Sequence, residues 1–314
     1  MTSMRGMDTT ARRMTLLRTM AIACAVLVLA ITSLSAFIRL SRAGLGCEPW
    51  PQCQARFSAV GQTTAAQPDR AVATARVAHR VTAVGALLLI IAMLMTAWAS
   101  SPPLAAAGRL VAVLLGLAVF LAVLGRMTAD SRLPAVVLGN LLAGFGMFAV
   151  GLRLVAATAP PAGGRPLPRT WAGLALALLV VQLMLGGLVS AAHAGASCPG
   201  LAGCDLGSAS WQAFDPWREP AAGAPGAGAL LHMAHRALGV VTALVLAVLG
   251  AAAWRRGRRT GAVLLALALA EPAAGFALVA FATPLGLALV HNMLAAALLA
   301  AAAALLPGGS ARGA

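Results

Sequence analysis

The chain carries little charge. Only 10% of its 314 residues are charged and eight of them are acidic, whereas 61% are hydrophobic and the mean hydropathy is +0.89. This composition excludes an ordinary soluble domain. Lysine and tyrosine are absent, so all 23 basic residues are arginine. We attribute that absence to codon bias, because nothing in the function inferred below requires it.

The chain also lacks the pattern of a nucleic-acid-binding protein. A formal net charge of +15 would suit such a partner, but no basic stripe with stacking aromatic residues is present. The arginines stand instead in short clusters between apolar runs. The sequence therefore predicts a lipid bilayer as a partner, and no nucleic acid.

Eight apolar runs are each long enough to cross about 30 Å of hydrocarbon, which takes roughly 20 helical residues. We therefore predict an all-α integral membrane protein with eight transmembrane helices. Cleavage of the first run as a signal peptide would leave seven spans and destroy the repeat described below, so we retain it. The runs cover residues 19–38, 76–98, 104–124, 134–155, 170–190, 229–253, 260–281 and 284–306.

The arginine clusters predict how the chain is oriented. With eight spans, the clusters before run one, between runs four and five and after run six all fall on one side. By the positive-inside bias that side is cytoplasmic, in a bacterial-type inner (plasma) membrane, and both termini lie there. The long loops 39–75 and 191–228 then face outward.

The two halves of the chain repeat one pattern. The first outer loop contains CEPWPQC at 47–53, and the second contains CPGLAGC at 198–204. Each motif is followed by a histidine-arginine step that opens an apolar run, His79-Arg80 and His235-Arg236. Such duplication, with a Pro/Gly-rich linker between the copies, predicts two four-helix bundles side by side. We place them at residues 1–158 and 159–314.

The four loop cysteines are predicted to face an oxidising compartment, where disulfides form. Four cysteines permit three connectivities, and the local pairs Cys47–Cys53 and Cys198–Cys204 would each close a small ring. Each ring is either a structural staple or, for Cys47–Cys53, a redox-active pair above the first-half pocket. No second CxxC or histidine accompanies either pair, so we expect no metal there.

Two histidines of the second half lie at matched depth. His235 and His291 are each about two turns from the outer end of a run, so both lie roughly 10 Å below the outer surface. A bis-histidine heme needs this arrangement, with its propionates meeting Arg236. The alternative is that each imidazole bonds a neighbouring carbonyl. We expect His193 to be structural, and His232 is a lesser alternative ligand.

The first half lacks a second histidine at the matching depth. His79 corresponds to His235, but the counterpart of His291 is Gly139, or Asn140 if the match slips by one residue. Neither residue is a normal iron ligand. These positions therefore offer one imidazole and an open face, which suits a bound substrate better than a fixed electron carrier.

One carboxylate, Glu271, is predicted to lie well inside a span. An ionisable group at that depth is by default functional or paired. Gln182 has a similar setting, and each is followed four residues later by a glycine, Gly186 and Gly275. The alternative is a protonated glutamate bonded to a carbonyl freed by Pro272.

These features together resemble the heme A synthase family of cytochrome oxidase assembly proteins. The resemblance rests on residues 39–53, both histidine-arginine steps, the second cysteine pair and His291, and it extends over nearly the whole chain. It implies that the C8 methyl of heme O is oxidised to a formyl group by successive hydroxylations, which gives heme A. Implied partners are heme O as substrate, heme O synthase and cytochrome oxidase subunits, and a homo-oligomer is left open.

The resemblance also implies roles for individual residues. Heme b would lie in the second bundle and the substrate heme in the first. The residues with implied roles are the heme b iron ligands His235 and His291, the catalytic candidates His79, Cys47 and Cys53, and the cofactor-binding candidates Arg80 and Arg236.

The chain departs from the family at the substrate site. The family has a glutamate three residues before the first-half histidine, here Arg76, and a span-four histidine, here Gly139 or Asn140. An arginine cannot accept a proton as a carboxylate can. The alternative function is therefore a non-catalytic membrane protein with a single heme b that transfers electrons or handles heme. A transporter has little support, since the repeat is parallel rather than inverted.

Overall fold

The protein was studied as a computed structural model, which describes residues 2–42, 70–99, 101, 103–127, 131, 133–159, 163–198, 200–201, 203–204, 206–207, 209–219 and 227–306. This part of the chain contains long helices and two short 3-10 turns, and no strand. The helices are α1 Thr2–Arg42, α2 Arg70–Trp98, α3 Ala105–Met127, α4 Pro134–Ala157, α5 Arg169–Ala191, α6 Ala229–Arg255, α7 Arg259–Ala280 and α8 Leu285–Leu305. The 3-10 turns are Ala194–Ser197 and Trp211–Phe214.

Each of these eight helices is long and apolar enough to cross a membrane. Each contains the core of one predicted apolar run, so the predicted fold class is confirmed. The first helix is longer than its run, since it begins at Thr2 and continues to Arg42 through the polar residues on both sides. Proline marks three helix starts, at Pro134, Pro168 and Pro284, where its missing N–H costs no intrahelical bond.

The two halves pack against each other along four helices. Within the first half α1 contacts α2 and α4, and within the second α7 contacts α6 and α8. Between the halves α4 contacts α5 and α8, and α1 contacts α8. One apolar core runs through both halves, from Phe145 on α4 to Leu179 on α5 and Leu299 on α8. The division at residues 158–159 stays a prediction.

Small residues allow close contact between α6 and α7. A Cβ added at Gly250 on α6 would lie 2.7 Å from the Leu265 backbone nitrogen on α7 and 2.9 Å from the Gly261 carbonyl oxygen. Any side chain there would separate the two backbones. Close packing through glycine is typical of helices in lipid, where no hydrophobic force drives helices together.

Arginines cap helix ends at one end of the molecule, here named the arginine end. Arg13 donates to the Thr96 carbonyl of α2 at 3.0 Å, and Arg153 donates to the Ala303 carbonyl of α8 at 2.7 Å. Arg258 donates to the last carbonyls of α8 at 3.2 and 3.3 Å. A cation at a helix C-terminus satisfies free carbonyls and complements the helix dipole. The side of the membrane that this end faces stays a prediction.

Candidate functional site

The second half encloses a cavity of about 260 Å³ between α5, α6, α7 and α8. Four of the five histidines line it, namely His193, His232, His235 and His291. The first half also contributes, through α1 and α4. None of the described residues that line the cavity belongs to α2 or α3.

His235 and His291 face each other across this cavity. Each is the seventh residue of its helix, counted from Ala229 and from Leu285, so the predicted matched depth holds. Their ring centroids are 6.5 Å apart and the rings are nearly perpendicular, at 85°. An imidazole nitrogen binds a first-row metal at about 2.0 Å, so two imidazoles on opposite sides of one iron have centroids about 6 Å apart. The observed spacing fits such an iron.

Two facing imidazoles are the ligand set that the iron of a porphyrin takes from a protein. Among the described residues, no group of three or more His, Cys, Asp or Glu side chains could hold an ion. A heme brings four nitrogens of its own and needs only axial ligands from the protein. That His235 and His291 bind heme b stays a prediction at this point.

Each facing imidazole has a polar partner on the adjacent helix. The Gln182 amide nitrogen on α5 lies 2.9 Å from His235 Nδ1 and also donates to the His235 carbonyl at 3.0 Å. Glu271 Oε1 on α7 lies 3.2 Å from His291 Nδ1. Both partners lie beside Nδ1, although only the Gln182 contact has hydrogen-bond geometry, so the Nε2 atoms are left for another partner. The carboxylate suspected from the sequence is therefore directly beside a predicted iron ligand.

Several buried polar atoms at the cavity lack a hydrogen-bond partner within the described structure. They are Gln182 Oε1, His232 Nδ1, Thr242 Oγ1, Glu271 Oε2, Thr283 Oγ1 and His291 Nδ1. Buried polar groups in folded proteins are nearly always bonded, and an unsatisfied one costs free energy. These atoms give the cavity several polar positions that a bound ligand could satisfy.

Arg39 is a site residue that the sequence did not single out. It lies on α1, in the first half, yet it lines the second-half cavity and donates through Nε to Ser190 Oγ on α5 at 3.1 Å. The only sequence signal was its place at the start of residues 39–53, on which the family resemblance rests in part. Its guanidinium is suited to a propionate carboxylate.

Arg236, predicted to bind cofactor, lines the same cavity. Its Nε donates to His232 Nε2 at 3.2 Å, and its Nη1 donates to the Gly200 and Leu201 carbonyls at 3.2 Å each. His232 is buried and its Nε2 is engaged by this arginine, whereas its Nδ1 has no partner among the described residues, so its place as a lesser alternative ligand stays a prediction. His193 lies beyond α5, and desolvation lowers its pKa below the ordinary value, so it is neutral near pH 7.

The second cysteine pair forms a disulfide. Cys198 and Cys204 are bonded to each other, which confirms the local pairing for this loop. The ring that they close contains both carbonyls that hold Arg236. The disulfide therefore fixes the loop on which a cavity arginine depends. Cys47 and Cys53 lie outside the described residues.

The predicted substrate site in the first half is separate from this cavity. His79 is partly buried on α2 and Arg80 is exposed. Arg76, one turn before His79, has a buried Nε without a hydrogen-bond partner in the described part of the chain. Asn140 uses its amide to donate to the Val136 carbonyl at 3.0 Å. The catalytic roles of His79, Cys47 and Cys53 stay predictions.

Comparison with known proteins shows the family to which this chain belongs. Residues 18–303 match the model of the COX15-CtaA family, described as cytochrome oxidase assembly protein. The chain belongs to this family. A heme A synthase from Shewanella oneidensis is 30% identical over 310 aligned positions, which cover 87% of this chain and 91% of that relative. These two matches confirm the family resemblance that was drawn from the cysteine and histidine motifs.

Proposed function

We propose that this chain is a heme A synthase-like oxidoreductase, which oxidises the C8 methyl of heme O to a formyl group by successive hydroxylations. The observation that carries the proposal is the pair His235 and His291, with ring centroids 6.5 Å apart in the second half. Its family and its similarity to a heme A synthase place it in heme biosynthesis for cytochrome oxidase assembly.

The second half is the proposed heme b site. His235 and His291 would bind the iron, and Arg39 and Arg236 line the same cavity, where each is suited to a propionate. Bound heme b supplies a one-electron redox centre whose potential the protein tunes. The protein contributes the spacing of the two rings, the charge of two arginines and a cavity lined largely by apolar helix faces.

The first half is the proposed substrate site. His79 would position heme O, and Arg80 at the next position suits one of its propionates. Arg76 suits a propionate as well, because its Nε is buried without a partner among the described residues. Cys47 and Cys53 would hold or relay electrons above this site.

The proposed location is a bacterial-type plasma membrane, with both termini cytoplasmic and both cysteine loops outward. The capping arginines support this orientation, since they gather at one end and Cys198–Cys204 lies beyond the opposite end of α5. Heme O synthase would supply the substrate and cytochrome oxidase subunits would receive the product. A homo-oligomer is compatible with this arrangement.

A specific observation favours a second candidate. Arg76 cannot take up a proton, and Gly139 and Asn140 offer the first half no second imidazole. A protein with these residues could hold a single heme b and transfer electrons or handle heme during oxidase assembly without oxidising heme O.

Heme extraction separates the two candidates. The chain is produced together with a heme O synthase in a host without its own heme A synthase, and extracted hemes are separated by chromatography. Heme A should appear, fall strongly in His79→Ala and persist in Thr74→Ala, an exposed site on the same helix. Heme O that accumulates unchanged beside a wild-type protein carrying heme b would establish the non-catalytic candidate instead.

A further inference from the structure

Two helices of the second half carry the same device for holding an imidazole. On α5, Gln182 contacts His235 Nδ1 at 2.9 Å, and a Cβ at Gly186 would lie 2.9 Å from Cε1 of the same ring. On α7, Glu271 contacts His291 Nδ1 at 3.2 Å, and a Cβ at Gly275 would lie 3.3 Å from its Cε1. In each case one side chain lies beside the ring nitrogen and a glycine four residues later makes room for the ring edge.

The device is absent from the corresponding positions of the first half. When the two halves are aligned on Asn140 and Asn292, Val119 corresponds to Glu271 and Val123 corresponds to Gly275. The same alignment of α1 with α5 makes Ala30 correspond to Gln182 and Leu34 to Gly186. The device is therefore not a general requirement of this helical repeat. It occurs in the half that has both facing histidines.

Iron binding determines where the imidazole protons must be. A ring that binds iron through Nε2 has its remaining proton on Nδ1, and Nδ1 then needs an acceptor. Glu271 Oε1 is an acceptor 3.2 Å from His291 Nδ1, close enough to bond but not aligned for a hydrogen bond in this structure. The carboxylate can accept whether or not its second oxygen is bonded.

Gln182 meets the same requirement when its amide turns over. Its nitrogen now faces His235 Nδ1, and its oxygen is buried without a partner among the described residues. The two ends of an amide are nearly the same size, so rotation exchanges donor and acceptor in place. With the oxygen toward the ring, the unsatisfied atom gains the Nδ1–H as its donor, and the amide loses the bond that its nitrogen donates to the His235 carbonyl.

We propose that Gln182 and Glu271 are positioning residues of the heme b site, which fix the two axial rings and make their donor strengths unequal. A carboxylate partner increases the electron donation of its imidazole more than a neutral amide does. His291 is then the stronger donor and His235 the weaker. Donation to the iron favours the ferric state, so the carboxylate lowers the midpoint potential. The proposal rests on the proposed heme b site and adds the residues that tune it.

The test is the midpoint potential of the purified, heme-loaded protein, measured by redox titration of its optical spectrum. Glu271→Gln, which keeps an acceptor but loses the carboxylate, should favour reduction by about tenfold, or about 59 mV for one electron. Gln182→Glu should shift the potential by a similar amount in the opposite direction. Glu219→Gln, an exposed site in the outer loop, should leave it unchanged.

Opposite shifts in the two variants, with the low-spin b-type spectrum retained, support the proposal. Unchanged potentials in both, beside a wild-type protein with bound heme, overturn it and leave the proposed function standing. If the wild-type protein is colourless after heme-replete production, the proposed heme b site itself is wrong. If Glu271→Gln fails to retain heme, the exchange variant Gln182→Glu/Glu271→Gln decides, since recovered heme supports the proposal and continued loss overturns it.

Discussion

The Nε atom of Arg39 lies 3.1 Å from the Ser190 hydroxyl, a contact that joins the first half of the chain to the second. Arg39 and its neighbour Leu40 are both part of the cavity wall that contains His235 and His291. The two halves therefore do not form independent sites. A helix from the proposed substrate half completes the proposed heme b cavity.

Replacing Arg39 with glutamine should weaken heme b retention by roughly ten- to a hundredfold, because a charge-assisted hydrogen bond contributes about 1.5–3 kcal/mol. Retention is measured as the heme remaining after competition with apomyoglobin. Arg126→Gln removes an arginine that is exposed at the end of α3 and should have no effect. Equal retention in both variants would show that Arg39 does not contact the cofactor.

Alanine in place of Gly186 should lower heme content more than alanine in place of Gly275. The added Cβ would lie 2.9 Å from His235 Cε1 in the first case and 3.3 Å from His291 Cε1 in the second. The His235 ring is held by Gln182 and cannot move away freely. Heme per polypeptide, from the alkaline pyridine spectrum, is the measurement.

Gly173→Ala is the matched control for both glycine variants. It lies on α5 like Gly186, and its Cβ would meet no atom within 4 Å. Alanine is favoured over glycine in a helix by about 1 kcal/mol, so this variant should be at least as stable as the wild type and keep its heme. A loss of heme in Gly173→Ala would mean that helix flexibility rather than ring clearance is being measured.

The sequence was sufficient for the spans and for the facing histidines. Apolar length alone identifies a transmembrane helix, because the bilayer imposes it. Matched distances from two helix starts then place His235 and His291 at one level, which the structure bears out. Both predictions need only the apolar pattern along the sequence and the position of the membrane surface, which is the same for all helices.

The contacts that complete the site could not be predicted from the sequence. Arg39 and Ser190 are 151 residues apart, and their contact depends on how the two halves pack. Glycine spacing drew attention to Gln182 and Glu271, but it could not tell which imidazole each would contact. That depends on the rotation of α5 and α7 about their axes, which small residues on several faces leave undetermined.

Removing the Cys198–Cys204 disulfide should lower stability by about 2 kcal/mol, which lowers the thermal midpoint by several degrees. The b-type spectrum should persist, since the sulfurs are not among the atoms that hold the two rings. Cys198→Ser and the double serine variant should behave alike, because either one removes the same bond. A thermal midpoint equal to that of the wild type would show that the ring adds nothing to the fold.

Alanine substitution of His79 and of His291 should separate the two proposed sites. His291→Ala removes one of two facing imidazoles and should abolish both the low-spin b-type spectrum and heme A formation. His79 lies on α2, which contributes no described residue to the cavity, so His79→Ala should keep that spectrum. Its heme A yield should nevertheless fall by roughly a hundredfold, because a misplaced substrate reacts far more slowly. Optical spectra and extracted hemes from the same preparations provide both readings. If the b-type signal disappeared in His79→Ala, heme b would have to be assigned to the first half, and the roles of the two bundles would be reversed.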